Sequence, residues 1–341
     1  PPHDIRQEQP QPMPKKSSLA TPASRMTDAV KSAKPAGPAN APSTSVGSVR
    51  VSNADRVIDP TTGLTKMDLV RYYATVAPLL MPHLKARPTS LVRAPEGVEG
   101  ELFFQKHWDV GRVKGVQGIK ELAQALYPAH PPLLEVASPG GLLSAAQMNT
   151  VEFHTWNARK DKIDRPDRIT FDLDPGDGVP WEHVQEAATL VRLMLTELGL
   201  PAFLKTSGGK GLHIVVPIKR LHDWDTVKGF SHDVVEHLAR TIPQRFVAKS
   251  GPKNRVGKIF ADYLRNGLGA TTATAWTARA RPGMGVSVPV AWDELARITS
   301  GAHWTVQTVG RRLRTGNGPW HGYDHAAVSL SGAIKALARA G

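Results

Sequence analysis

The chain has 341 residues, and 43 lysines and arginines against 30 acids give it a formal charge of +13. That balance favours a polyanionic partner, nucleic acid before membrane, and the length supplies ample material for a core. There is no cysteine, which excludes disulfides, thiolate zinc sites and a cysteine nucleophile and fits a reducing, cytoplasmic setting; no apolar run is long enough to span a bilayer and no signal-like segment is present.

Residues 1 to about 46 hold nine of the 28 prolines among Ala, Ser and Lys, with almost no large apolar side chains. Such a segment cannot bury a core and reads as a disordered linker or tail. Its start at Pro1 rather than Met suggests a piece of a longer polypeptide. Periodicity predicts a helix over 65–84 (TKMDLVRYYATVAPLLMPHL) with Thr65 as N-cap. A short helix follows over 140–149, then strands over 151–156 and 168–174. The clearest helix is 179–200, with Pro180 near its first turn and Leu190, Leu193, Met194 and Leu198 on one face. Strands over 202–207 and 212–218 flank a glycine loop. A second long helix covers 224–242, strands cover 258–264 and 272–280, and a last helix covers 289–298. Strands mixed with helices give an α+β or α/β class.

Three stretches can carry chemistry. In RITFDLDPGD (168–177), Asp172 and Asp174 end an apolar strand. Side chains alternate along a strand, so both point to the same face. Two carboxylates that close need a positive charge between them, and a divalent cation supplies it; a solvated turn is the plainer alternative. Asp262, in KIFADYL, also follows an apolar strand. Alone it reads as a surface acid, but with the other two it completes a carboxylate set suited to magnesium or manganese.

In KTSGGKGLHIVVPI (205–218), glycines around Ser207 and Lys210 let backbone N–H groups approach an anion. The pattern is not GxxxxGK[ST], and an ordinary hairpin turn would use the same residues. His213 heads the next strand, where a histidine is more often structural. In TAWTARARPGMGVSVPV (274–290), Arg279 and Arg281 alternate, which on a strand would put both guanidinium groups on one face. Paired arginines suit a triphosphate; a solvated basic face is the alternative. Metal carboxylates, an anion-cradling loop and paired arginines are together the parts of nucleotidyl transfer.

HTWNAR, FDLDP, TSGGKGLHIVVP and ARARPG together resemble the polymerase domain of bacterial ATP-dependent DNA ligase D, from about Val51 to about residue 315. That domain acts in non-homologous end joining and belongs to the archaeo-eukaryotic primase superfamily. The resemblance implies an α+β, primase-like fold over 47–330, with an RRM-like catalytic sheet and a second β-rich module around a central cleft, and 331–341 as a tail or helix end. It implies that Asp172, Asp174 and Asp262 ligate two ions, Mn2+ or Mg2+. Ser207, Lys210 and His213 would hold the triphosphate of an incoming NTP or dNTP, ribonucleotides preferred, with Arg279 and Arg281 near the phosphates and His154 near the sugar.

The same resemblance assigns Asn53, Arg56 and Lys66 to a pocket for a DNA 5′-phosphate. Arg56 departs from the commoner Lys, which keeps the charge and changes the fork geometry. Lys66 falls in the first turn of its helix, where backbone N–H groups also favour phosphate. Phe103 and Phe104 would stack on template bases and Lys106 would touch the backbone; neighbouring phenylalanines on a strand face opposite ways, so at least one belongs to the core. Implied partners are double-stranded DNA ends and gaps with a 5′-phosphate, Ku, and ligase and nuclease modules in the parent chain, at the bacterial nucleoid. Two other classes compete. A phosphatase-like hydrolase would use Asp172 as nucleophile, but Gly176 stands where DxDx[TV] needs Thr or Val, and the arginines have no task. A non-catalytic end-binding module leaves three acids beside DNA unexplained.

Overall fold

The computed structural model describes residues 44–107, 113–119 and 130–340. Most of the expected N-terminal tail lies outside the described residues; at its end, β1 (Ser45–Val46) pairs with β2 (Val49–Arg50), and β3 (Val57–Asp59) then pairs with β4 (Leu64–Thr65). Helix α1 (Lys66–Leu84) starts at Thr65, whose hydroxyl accepts from Asp68 N while the Asp68 carboxylate accepts from Thr65 N at 2.9 Å. This reciprocal cap satisfies two amides that would otherwise be orphaned.

Strands β5 (Thr89–Arg93), β6 (Phe103–Gln105), β9 (Thr150–Thr155) and β15 (Thr272–Ala273) form an antiparallel sheet in the order β15-β9-β5-β6. An antiparallel pair, β7 (Val116–Ile119) and β8 (Leu133–Val136), and helix α2 (Pro139–Gln147) precede β9. Along β9, Val151 and Phe153 enter a core shared with α1 and α2, where Phe153 stacks edge-on against Tyr73. Glu152 and His154 therefore point to the other face.

The larger sheet runs β13-β14-β10-β12-β11-β16. Its members are β10 (Arg168–Pro175), β11 (Phe203–Thr206), β12 (Leu212–Pro217), β13 (Phe246–Val247), β14 (Ile259–Asp262) and β16 (Pro289–Val290). Helices α3 (Trp181–Glu197) and α4 (Trp224–Thr241) cover one face, and α5 (Ser331–Ala340) adds Ala333 and Leu337 to the same core. Ile169, Phe171 and Leu173, Leu212, Ile214 and Val216, and Ile259 and Ala261 all enter it. Period two then obliges Asp172, Asp174, His213 and Asp262 to emerge on the uncovered face.

One side chain sets where β10 and β14 meet. Asn266 donates from Nδ2 to Thr170 O at 3.0 Å and accepts Thr170 N at Oδ1 at 2.8 Å, and the same oxygen takes Asn157 Nδ2 at 2.9 Å. The amide thus replaces a strand partner just beyond the end of β14.

Three expectations need correction. The buried stripe of α3 is Val184, Ala187, Ala188, Val191 and Leu195; Leu193 is exposed, and Leu190, Met194 and Leu198 only flank the core. The alanines let the helix sit close to the sheet, so the largest side chains fall at its margin. The strand expected over 272–280 stops at Ala273: residues 275 and 276 turn, with Trp276 at φ +68°. The helix expected over 289–298 is instead β16 followed by a 3-10 turn, Trp292–Arg297, because the chain first pairs with β11.

Candidate active site

Strand β10 lies between β12 and β14, and Asp172 stands opposite His213 on one side and Asp262 on the other. His213 Nε2 is 3.2 Å from Asp172 Oδ1. Arg265 reaches Asp262 at 3.0 Å and Asp172 at 3.9 Å, and Arg255 holds Asp174 at 2.9 Å. The carboxyls titrate apart. Burial, then the Asp172 charge, push Asp174 up to about 6 against the pull of Arg255. Burial also raises Asp262, with Arg265 opposing. At Asp172 burial works upward, but His213 and Arg265 outweigh it and hold the carboxyl well below its usual range.

Among the described residues, no three His, Asp or Glu stand at metal-ion spacing: Arg255 and Arg265 draw the carboxylates to themselves. The donor chemistry still fits a hard cation. Three carboxylates share one face, two of them are destabilised as anions, and all are oxygen ligands. A cation seated there would compete with the two guanidinium groups.

The glycine loop closes on itself. Ser207 Oγ accepts from Gly209 N at 3.0 Å and Gly211 N at 3.1 Å, so these two amides are already satisfied rather than open to an anion. Lys210 is exposed at the tip. Arg279 and Arg281 lie on irregular chain, not on one strand face as expected, yet both reach this loop. A Cβ at Gly209 would stand 3.6 Å from Arg279 Nη1 and 4.0 Å from Arg281 Nη1. Arg279 also donates to Ser207 O at 2.8 Å.

Arg279 is aimed by Glu152, which sequence reasoning missed. Glu152 is 5% exposed. It accepts Arg279 Nε at 2.9 Å, Ala280 N at 2.7 Å and His154 Nε2 at 2.5 Å. Burial opposes its charge, but Arg279 and His154 overcome that and hold it far below the usual carboxylate range. Its alternation with His154 in VEFHTW was the available signal. Burial lowers the pKa of His154, with Glu152 opposing. Lys205, also missed, places Nζ 2.8 Å from His213 Nδ1 and donates to Ala273 O of the smaller sheet at 2.9 Å, so the polar faces of the two sheets meet.

Asn53, Arg56 and Lys66 come together at the start of α1. Asn53 is exposed in a left-handed turn at φ +49°, and its carbonyl accepts from Arg56 N. The Arg56 guanidinium donates to Asn149 Oδ1 at 2.6 Å and to Pro95 O, so it also ties neighbouring loops together. Lys66 is buried near Ser52; burial and the Arg56 charge lower its pKa to about 8. The first amides of α1 are not free for phosphate as expected: those of Lys66 and Met67 donate to Arg56 O and Ala54 O, and that of Asp68 to Thr65 Oγ1. Phe104 meets the His154 ring edge-on at 6.0 Å and packs on the first core. Phe103 is half-buried on the opposite side of β6, and Lys106 is half-buried just beyond that strand.

Carboxylates in register across strands, facing a sheet that orders an arginine over a glycine loop, define the chemistry of a nucleotidyltransferase that needs a divalent cation. A family model, LigD, primase-polymerase domain, matches residues 65–320. The chain belongs to that family. It is 46% identical over 314 residues to the multifunctional non-homologous end joining protein LigD of Pseudomonas aeruginosa, covering 89% of this chain and 37% of that protein. It is 32% identical to the LigD of Mycolicibacterium smegmatis over 73% of this chain and 32% of the relative. The chain thus spans about a third of the length of these relatives. The polymerase domain from Mycobacterium tuberculosis ligase D, solved in complex with DNA, superposes with a TM-score of 0.70 at 29% identity, covering 79% of this chain and 95% of that one. Among the described residues no helix is long and apolar enough to cross a membrane.

Proposed function

We propose that the chain is the template-directed polymerase part of an end-joining protein, filling gaps and extending 3′ ends at double-strand breaks, with ribonucleotides preferred. The observation that carries this reading is the register that sets Asp262 beside Asp172 and leaves Asp174 one pleat further on the same face. Asp172, Asp174 and Asp262 would hold two ions, Mn2+ or Mg2+; when bound, these lower the pKa of the primer 3′-hydroxyl and neutralise the leaving pyrophosphate. Arg279, Arg281 and Lys210 supply positive charge where a triphosphate would lie, and Ser207 keeps the loop closed beneath it. His154, tied to Glu152, stands beside Phe104 where the nucleotide sugar and a template base would meet. Asn53, Arg56 and Lys66 form the site for a 5′-phosphate across the gap, with Lys106 toward the template; Phe103, on the other side of β6 from Phe104, has its ring away from that face. Ku and ligase and nuclease modules of the parent chain are the expected partners.

The test is primer extension on a gapped duplex with a 5′-phosphate, in manganese, comparing ribo- and deoxynucleotides and including Asp172→Ala. Extension by the parent and none by the variant is the expected result. DNA binding by the parent with no nucleotide added under either set would overturn the polymerase reading in favour of an end-binding module.

A further inference from the structure

Four residues form one row across four strands: Lys205 on β11 faces His213 on β12, which faces Asp172 on β10, which faces Asp262 on β14. Asp172 and Asp262 have a stated part as metal ligands; His213 was expected at the triphosphate, yet both its ring nitrogens face neighbours in this row, and Lys205 has no stated part. It is 3% exposed, and a lysine is almost never buried so deeply without a specific arrangement around its nitrogen. We propose that Lys205 is a positioning residue that donates to His213 Nδ1, so that the ring carries its proton on Nε2 and pins Oδ1 of Asp172. This rests on the reading of the uncovered β10–β12–β14 face as the catalytic face.

Donor counting supports it. Ser287 Oγ gives its one proton to Thr206 O at 2.8 Å, so it can only accept from Lys205 Nζ, also at 2.8 Å. Ala273 O, at 2.9 Å, can only accept. Two Lys205 protons are thereby placed. The third contact is His213 Nδ1 at 2.8 Å. On the other side of the ring, Nε2 lies 3.2 Å from Oδ1 of Asp172, where a carboxylate oxygen accepts a proton carried on Nε2. Two arrangements satisfy all of this: an ammonium donating to a neutral ring, or a neutral amine accepting from an imidazolium. They carry the same net charge. Lysine is the stronger base by about four pKa units in water, so the proton belongs on Nζ. Asp172 Oδ1 is then fixed by the ring, and Oδ2 is left toward Arg265 and any cation. Without Lys205 the ring can exchange tautomers, and Nε2 would then turn a lone pair toward the carboxylate.

A plainer role for Lys205 is to fasten the two sheets through Ala273 and Ser287. The experiment separates the two. The full chain is labelled with 15N-histidine, and His213 is assigned by its loss in His213→Gln. Long-range nitrogen–carbon-bound-proton spectra then report which ring nitrogen is protonated. The expected result is a neutral Nε2–H ring in the parent and in Ser287→Ala, and a mixed or Nδ1–H ring in Lys205→Met. Mn2+ affinity, read by the paramagnetic signal of the free ion, should fall severalfold in Lys205→Met and hold in Ser287→Ala. A parent ring protonated on Nδ1 alone, or on both nitrogens, overturns the proposal, and that measurement needs no variant of Lys205 to fold. Equal losses in Ser287→Ala and Lys205→Met also overturn it and leave a fastener. If the tautomer and metal results stand but the parent extends no primer, the polymerase reading fails and the positioning role survives.

Discussion

The carboxylate row and the arginine arm meet at one site, but their side chains are aimed by different means. Asp172, Asp262 and His213 sit on three neighbouring strands, each placed by a ladder whose other face is packed under α3 and α4. Arg279 and Arg281 sit on irregular chain that leaves the smaller sheet after Ala273. That segment packs Trp276, Ala278 and Ala280 into the first core and bonds backbone to backbone with 285–287, while the Arg279 guanidinium itself is held by Glu152 and Ser207 O. Many shared apolar contacts fix the first arm. The backbone of the second is packed as well, but its Arg279 side chain is aimed by charged and polar bonds, so a single substitution at Glu152 or Arg279 re-aims it more readily.

The sharpest break is on the ladder side. Asp172→Ala should lower primer extension by about a thousand-fold, the scale for losing a group that organises charge in the transition state, with circular dichroism unchanged. Its neighbour Phe171 faces the helices, so Phe171→Ala should instead cost about 3–5 kcal/mol of stability in chemical denaturation. Adjacent residues would then fail by opposite routes, and a Phe171→Ala protein as stable as the parent would mean that the ladder does not hold the row.

On the loop side, Arg279→Gln strands Glu152 as a buried charge with only His154 and one amide. A loss of about 3 kcal/mol in stability is expected, together with a raised KM for nucleotide, and Glu152→Gln made in the same chain should recover much of the stability and none of the KM. A smaller effect concerns the 5′-phosphate pocket. Lys66 is depressed to about 8, so its charge is lost as pH rises through that value. Binding of a 5′-phosphorylated end should weaken between pH 7 and 9, and Lys66→Met should bind weakly and flatten the profile. The linked stability runs the other way. Holding Lys66 charged costs the folded state its full penalty below about pH 8, and the penalty is relieved as pH rises toward the unfolded value of 10.5. Smallest of all, Thr65→Ala removes one side of the cap on α1 and should cost about 1 kcal/mol in thermal or chemical unfolding.

The ladder side was legible because one local rule suffices there: an apolar residue at every second position sends the acid between to the other face. That rule found Asp172, Asp174 and Asp262 before any pairing was known. It misled at Arg279 and Arg281, since alternation in TATAWTARA has no strand to act on once Trp276 turns the backbone. It also passed over Glu152 and Lys205. A charged residue in a strand reads as solvated, and only the approach of the second sheet shows that these two are buried and bonded. The face of α3 was misjudged because large side chains were taken to mark contact, where Ala187 and Ala188 mark the nearest approach. The Thr65 cap was legible because its partner lies three residues away. The closure of the glycine loop by Ser207 was not, as its hydroxyl had been assigned to a ligand.

The amide of Asn266 bears on a weakness of any two-sided strand. An apolar pattern of period two cannot tell one pairing from another displaced by two residues: every greasy side chain would still point at the helices. Such a slip between β10 and β14 would leave the protein folded and move Asp262 away from Asp172. By gripping both backbone groups of Thr170, Asn266 marks a single alignment as correct. Polar matching at that one place thus guards a geometry to which the hydrophobic core is indifferent.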